Sequence, residues 1–301
     1  MISVVIPTHN RADLLPRAIK SVLNQTIKDV EIIVVSDGST DGTDALMHEF
    51  ESQDKRIRYI SYFPGRNGNY ARNQGILASI GEYVAFLDDD DEWLPTKLEK
   101  QLKIMESDPE IGIVYTGTHN VYVDLGISYD SVPVQHGDLS KDILLYNIVG
   151  STTTVMVRKS VLNKTGLFDE NLGAMQDYDL WVRVCQVAKV GVVTEPLVNY
   201  YNYNNSGQIS ANVGKYELAY DKVNQKYEQL LNEKLSGEER KHKLACQMRA
   251  LAIKALRNGN GKEARAYYVK SINYRFEIRS IWLYISTFLG YNTHLKLRSV
   301  R

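Results

Sequence analysis

The stretch Tyr83-Val84-Ala85-Phe86-Leu87-Asp88-Asp89-Asp90-Asp91-Glu92-Trp93 carries the most information in the chain. Its first five residues form a continuous apolar run, the pattern of a strand buried on both faces. Four consecutive aspartates follow, Asp88 to Asp91. Carboxylates packed this closely behind a core strand repel one another and weaken folding unless a cation sits among them. The expected counter-charge is a divalent metal that itself carries a phosphorylated ligand. An acidic turn ahead of a helix accounts for one or two such residues, because Asp favours helix N-termini. It does not account for all four.

Upstream of this stretch, strand and helix patterns alternate. Ile2 to Ile6 reads as a β-branched strand that stops at Pro7-Thr8-His9-Asn10-Arg11. Leu14, Leu15, Ala18, Ile19, Val22 and Leu23 then recur at helical spacing, with Asn10 or Asp13 available as the cap. Val30 to Val35 is a second strand, ending in the turn Ser36-Asp37-Gly38-Ser39-Thr40-Asp41-Gly42, and Thr43 to Phe50 a second helix. Ile57 to Tyr62, the loop Gly65-Arg66-Asn67-Gly68-Asn69 and the helix Tyr70 to Ser79 complete a third unit before Tyr83. Such alternation specifies a parallel, twisted sheet covered by helices, with all strand C-termini on one edge. Ligands bind at that edge. The polar clusters at Pro7-Thr8, Asp37-Gly38, Arg66-Asn67 and Asp88–Asp91 are each expected to open into one crevice there.

Downstream, Pro95 and Thr96 start a helix to about Glu106. Gly112–Thr118, Asn120–Val123, Thr152–Val157 and Val190–Tyr203 read as strands, the last interrupted at Pro196. Asp124–Gly137 reads as loop, and Asp138–Tyr146 and Arg158–Asn163 as short helices. Gln176-Asp177-Tyr178-Asp179-Leu180-Trp181 opens a helix to about Ala188. Asn202 to Gly214 is polar and expected to be a lid or linker. From Lys215 only helices are expected, over about 215–232, 238–257, 262–272 and 279–289. The organisation expected is an α/β unit over 1–212, in two halves to about 93 and from 94, then a helical extension over 213–301; the resemblance set out below implies that the first half binds a nucleotide, the second an acceptor, and that the unit is catalytic.

Composition narrows the classes. Hydrophobic residues make up 44% and charged residues 24% of 301 residues, which suits a globular protein with a sizeable core. Lys+Arg and Asp+Glu are both 36, so net charge names no partner. Two cysteines give no disulfide framework, and the six histidines show no zinc spacing. No apolar run approaches the roughly 20 residues that span a bilayer, and no signal peptide is recognisable. From Ser236 onward, however, fourteen Lys and Arg face only Glu238, Glu239, Glu263 and Glu277. The same region contains the aromatic, apolar segment Ile281–Leu289, and this pairing suits peripheral contact with an anionic membrane.

Five segments in order resemble glycosyltransferase family 2: Ser3–Arg11 (SVVIPTHNR), Glu31–Thr43 (EIIVVSDGSTDGT), Gly65–Ile76 (GRNGNYARNQGI), Gly81–Trp93 (GEYVAFLDDDDEW) and Gln176–Arg183 (QDYDLWVR). The resemblance extends to about Ser210. It implies a GT-A fold, a Rossmann-like α/β sheet, and inverting transfer of a sugar from a UDP-sugar of the Gal, Glc or GlcNAc type. The acceptor would be a hydroxyl of a glycan, expected to be lipid-linked, in capsule, exopolysaccharide or cell-surface glycan synthesis. Residue by residue, it assigns the nucleotide to Pro7, Thr8, Asn10, Asp37, Asn67, Arg72, Asp88 and Asp89, with Arg66 nearby. Asp88 and Asp90 match the Asp-x-Asp that holds Mn²⁺ or Mg²⁺, and Asp177 matches the general base, with Asp179 as the other candidate. A sugar hydroxyl is a poor nucleophile, and a carboxylate within reach can take its proton.

Gln176 stands where many relatives have Glu, and Asn202 and Asn204 where many have Arg and His. The Gln-x-x-Arg-Trp pattern of polymerising relatives is absent, which points to transfer of a single sugar. No nucleic-acid partner is expected, and the location implied is the cytoplasm or the inner membrane face. Two other classes compete. A sugar-nucleotide nucleotidyltransferase needs a Gly-rich loop after the first strand, which Pro7–Arg11 lacks. A non-catalytic glycan-binding module has no need of both Asp90 and Asp177.

Overall fold

The computed structural model describes residues 1–203 and 212–299. Four strand–helix units open the chain: β1 (Ile2–Thr8), α1 (Leu15–Leu23), β2 (Val30–Asp37), α2 (Thr43–Gln53), β3 (Ile57–Tyr62), α3 (Gly68–Ala78) and β4 (Tyr83–Phe86). These strands are parallel and ordered β3-β2-β1-β4. Every residue of β1 and β4 is buried, as their continuous apolar runs require. Alternate side chains of β1 enter different cores. Val4 and Ile6 pack with Leu15, Ile19 and Leu98 on one face, and Val5 packs with Ile76, Val84 and Phe86 on the other.

Beyond β4 the sheet becomes mixed. The next elements are β5 (Glu92–Trp93), α4 (Lys97–Ser107), β6 (Ile111–Tyr122), β7 (Ile127–Ser131), β8 (Val155–Arg158), α5 (Lys159–Thr165), α6 (Gln176–Cys185) and β9 (Lys189–Asn202). Strand β8 lies antiparallel between β4 and β6, β9 runs parallel to β6, β5 closes that edge, and β7 hairpins onto β6.

Several expectations change here. The two short strands expected over 112–123 are one strand, because Gly117 and Thr118 absorb register shifts opposite Pro196 without breaking the pairing. The segment read as loop over 124–137 contains β7, a short edge strand in which only Ile127 and Tyr129 are half-buried. The helix expected over 138–146 is a single 3-10 turn at Asp142–Leu144. Thr152–Thr154 is also a 3-10 turn, so β8 starts three residues later than expected. Neither Asn10 nor Asp13 caps α1, whose N-cap is Leu14 with no side-chain bond. The polar stretch read as a lid over 202–214 lies largely outside the described residues.

The chain continues with α7 (Val213–Lys226), α8 (Glu228–Lys234), α9 (Gly237–Arg257), α10 (Gly261–Tyr274), α11 (Ile278–Ser286) and α12 (Tyr291–Ser299). The helix expected over 215–232 breaks at Tyr227, and α12 was not anticipated. Helix α9 begins with a capping box, Ser236 and Glu239 exchanging bonds with each other's backbone. Helices α9 to α11 have a core of their own around Leu251, Tyr267 and Tyr268. Helices α7 and α8 instead send Ala219, Val223 and Leu231 into the core that holds Trp181 and Phe168.

Candidate active site

The C-terminal ends of β1, β2 and β4 and the N-terminus of α6 meet at a cleft of about 470 Å³. Its lining includes Pro7, Thr8, Asp37, Arg72, Asp88, Asp89, Asp90 and Asp177, which were read from separate segments of sequence. Arg11, Asn147, Thr152, Gln176, Tyr200 and Tyr216 also line it.

Asp37 is held by two donors on one oxygen, the Tyr62 hydroxyl at 2.8 Å and the Arg66 backbone N–H at 2.6 Å, both to Oδ1. Among the described residues Oδ2 has no hydrogen bond, so it can take a donor from a ligand. The loops carrying Asp37 and Arg66 touch at glycines. Gly38 has φ +67°, and a Cβ there would run into the backbone of Gly65. Two residues expected at the nucleotide do not line the cleft. Asn10 Oδ1 accepts the Thr40 N–H at 2.7 Å, joining the loops after β1 and β2. Asn67 caps α3, its side chain accepting from the N–H groups of Asn69 and Tyr70.

The four aspartates separate by environment. Asp88 pairs with Arg72 at 2.7 Å and accepts the Thr152 hydroxyl at 3.3 Å. Asp89 and Asp90 share Arg11, at 3.0 and 2.7 Å, and the Asp90 carbonyl accepts from Arg17. Burial pushes Asp89 up to about 6 against the pull of Arg11. Asp91 faces away from the cleft, where its Oδ1 accepts the Tyr201 N–H at 3.1 Å, and burial drives its pKa well above the carboxylate range. Among the described residues no three His, Cys, Asp or Glu side chains gather around one point. Two hard carboxylates on a cleft wall fit Mg²⁺ or Mn²⁺ completed by phosphate and water, and do not fit a closed protein cage such as structural zinc requires.

Asp177 sits in the first turn of α6, behind Met175, which adopts the left-handed conformation at φ 59°. Its Oδ1 accepts the N–H of Tyr178 at 2.7 Å. Among the described residues no other hydrogen bond engages it. Burial pushes its carboxyl up to about 6, with Asp88 adding to the rise and Arg72 and Lys254 opposing it. Asp179, the other candidate base, is fully buried and committed elsewhere. It pairs with Arg183 at 2.8 Å and Lys226 at 2.7 Å and accepts the Tyr227 hydroxyl at 2.8 Å.

Three contributors had no local sequence signal. Tyr216 on α7 lines the cleft, and Lys254 on α9 stacks over it, 3.5 Å from the ring centroid. Burial lowers Lys254 to about 8, and its charge acts on Asp177. Tyr200 on β9 is the third. All three reach the cleft through pairings distant in sequence.

The cleft thus brings together, at one edge of an α/β sheet, three aspartates held by Arg11 and Arg72 and a separate aspartate, Asp177. The family model "Glycosyl transferase family 2" matches residues 3–166, and the chain belongs to that family. An uncharacterized glycosyltransferase of Rickettsia typhi is 35% identical over 205 residues, 66% of this chain and 63% of that protein. The match therefore spans less than two thirds of that relative. TuaG of Bacillus subtilis, a glycosyltransferase provisionally assigned to teichuronic acid biosynthesis, is 31% identical over 71% of this chain and 83% of its own. Among solved structures, S. aureus TarS 1-349 in complex with UDP-GlcNAc matches with a TM-score of 0.59 at 17% identity, covering 91% of each chain. A mannosyltransferase from Pyrobaculum calidifontis in complex with GDP-Man and Mn²⁺ matches at 0.59 and 15% identity, covering 99% of this chain and 86% of that one. These two likenesses establish the fold, GT-A. Membership of family 2 places the chain among the glycosyltransferases.

Proposed function

We propose that this glycosyltransferase moves one sugar from a UDP-sugar to a hydroxyl of a lipid-linked glycan, with inversion, and that Asp177 is the base. The observation that carries this reading is the division of carboxylates within one cleft. Asp88, Asp89 and Asp90 are held in ion pairs by Arg11 and Arg72, whereas Asp177, its carboxyl raised by burial, has no ion pair among the described residues and one oxygen free of hydrogen bonds. A base with an apparent pKa near 6 is ionised at neutral pH yet retains affinity for a proton. Asp177 would take the proton of the acceptor hydroxyl as that oxygen attacks the anomeric carbon from the face opposite the diphosphate.

Asp37 Oδ2 would accept the imide N–H of uracil, with Pro7 and Thr8 framing the base. Arg72 would lie toward the diphosphate, using guanidinium donors left over from Asp88. A divalent cation held by Asp90 and Asp88 would stabilise charge on the departing UDP. The family assignment and the relation to TuaG support a role in glycan synthesis, and the UDP-GlcNAc of TarS supports a UDP-linked donor. No helix among the described residues is long and apolar enough to cross a membrane.

A screen of UDP-Gal, UDP-Glc and UDP-GlcNAc for metal-dependent release of UDP, with GDP-mannose beside them, tests the donor. One UDP-sugar should be turned over in Mn²⁺ or Mg²⁺ and not in EDTA. Turnover of GDP-mannose alone would overturn the uracil assignment, and the absence of both hydrolysis and UDP binding by calorimetry would overturn the whole reading.

A further inference from the structure

Helix α11 carries a second apolar face, turned outward. Ile278, Trp282 and Ile285 recur at helical spacing on one face and are 68%, 68% and 49% exposed. Phe288 and Leu289 extend that face at 64% and 62%, and Phe276 precedes it at 70%. The inward face carries Leu283, which packs in the helical core with Tyr267 and Tyr268, and two buried serines, Ser280 and Ser286. These inward hydroxyls have partners. Ser286 Oγ hydrogen-bonds with His294 Nδ1 at 2.7 Å, and Ser280 Oγ accepts from Arg249 at 3.4 Å. Core packing of Leu283 together with these polar contacts fixes which face turns inward, and a second apolar face is held outward. Exposed contiguous apolar surface of this kind marks an interaction site.

The surrounding charge selects the partner. Arg275 and Arg279, exposed at the start of α11, flank this face, and Arg265 lies 4.5 Å from the centroid of the Phe288 ring. The one acid on the approach to α11, Glu277, is engaged by Arg249 at 2.8 Å and Arg275 at 3.4 Å. A second copy docking through the same face would bring these cations against one another. An anionic bilayer surface satisfies both features: apolar and Trp side chains enter the headgroup boundary while Lys and Arg meet acidic lipid. We propose that the α11 face, centred on Trp282, is a docking surface for anionic membranes. It depends on neither the donor nor the base assigned above.

The full chain is mixed with vesicles of phosphatidylcholine, with or without about one quarter phosphatidylglycerol, a composition giving a negative surface potential. It should sediment with the anionic vesicles only, and less in high salt. Trp93 and Trp181 are buried at 2% and 0% exposure, so a blue shift of tryptophan emission would report Trp282. Trp282→Ser with Ile285→Ser should lower vesicle binding at least about tenfold. Its UDP-sugar hydrolysis should remain at the wild-type level, so failure of the surface and failure of the transferase reading are distinguishable. Arg275→Glu with Arg279→Glu should weaken anionic binding as well. Equal sedimentation of wild type and both variants, or no binding to anionic vesicles at all, overturns the proposal. So does a dimer in sedimentation velocity that the Trp282 variant abolishes while vesicles bind nothing, because the face would then belong to a second copy.

Discussion

Asp177 carries two consequences of one environment. As a base it must be ionised, so kcat/KM should fall on the acid side with an apparent pKa of about 6. Lys254 and Arg72 hold that value down. Lys254→Met should therefore move the acid limb to higher pH, a shift that pH-rate profiles at saturating metal would measure; an unmoved limb would separate Lys254 from the base. The same burial costs stability. The folded-state pKa lies above the ordinary 3.8, so the charged form is the disfavoured one, and the cost appears as pH rises through about 6. Asp177→Asn should thus melt higher than wild type at pH 8, by at most about 3 kcal/mol, with the gap closing toward pH 4. Asp90→Ala acts on the other side of the cleft. It should weaken metal-dependent UDP binding about tenfold or more while leaving metal-free binding almost unchanged, as calorimetry would record.

At the scale of elements, α3 holds the segment that leads to Asp177, the proposed base. Asn69 Nδ2 donates to the carbonyls of Asp169 and Leu172 at 2.9 Å each. Asn73 donates to the Phe168 carbonyl at 3.0 Å and accepts the Phe168 N–H at 3.0 Å. The Asn-rich motif therefore clamps the segment that leads into α6 and Asp177. Asn73→Ala leaves buried backbone groups unpaired and should cost about 1–3 kcal/mol in denaturant unfolding. It should lower kcat more than it changes UDP affinity; the reverse pattern would place the clamp's role at the nucleotide. The β1 to β4 units were legible because each strand is a short apolar run and each site cluster follows a strand end. The positions of Asn10 and Asn67 were not, because a short polar side chain in a turn reads the same whether it binds a ligand or its own backbone. Strand β7 was hidden because its alternation, Ile127 and Tyr129 against Ser128 and Asp130, covers too few residues at an exposed edge to stand out from a loop.

Across the whole molecule, the boundary expected at 212/213 divides sequence character more cleanly than it divides packing. The helices after it contribute Ala219, Val223 and Leu231 to the core around Trp181, and Lys226 and Tyr227 to buried Asp179. Tyr216 and Lys254 come to the cleft from the same side. None of this has a local signature, because it depends on which distant faces meet. A chain ending at residue 212 would leave Asp179 with Arg183 alone and open an apolar face. It should fail to give a cooperative thermal transition; a well-folded product would show that the extension is dispensable for the fold. The division of labour in the cleft is tested most directly by one paired measurement on Asp177→Asn. UDP-sugar turnover is followed in Mn²⁺, and UDP affinity is measured by calorimetry on the same sample. Turnover should fall about 10²- to 10⁴-fold, with UDP affinity within about twofold of wild type. Wild-type turnover by this variant would contradict the assignment of Asp177 as the base.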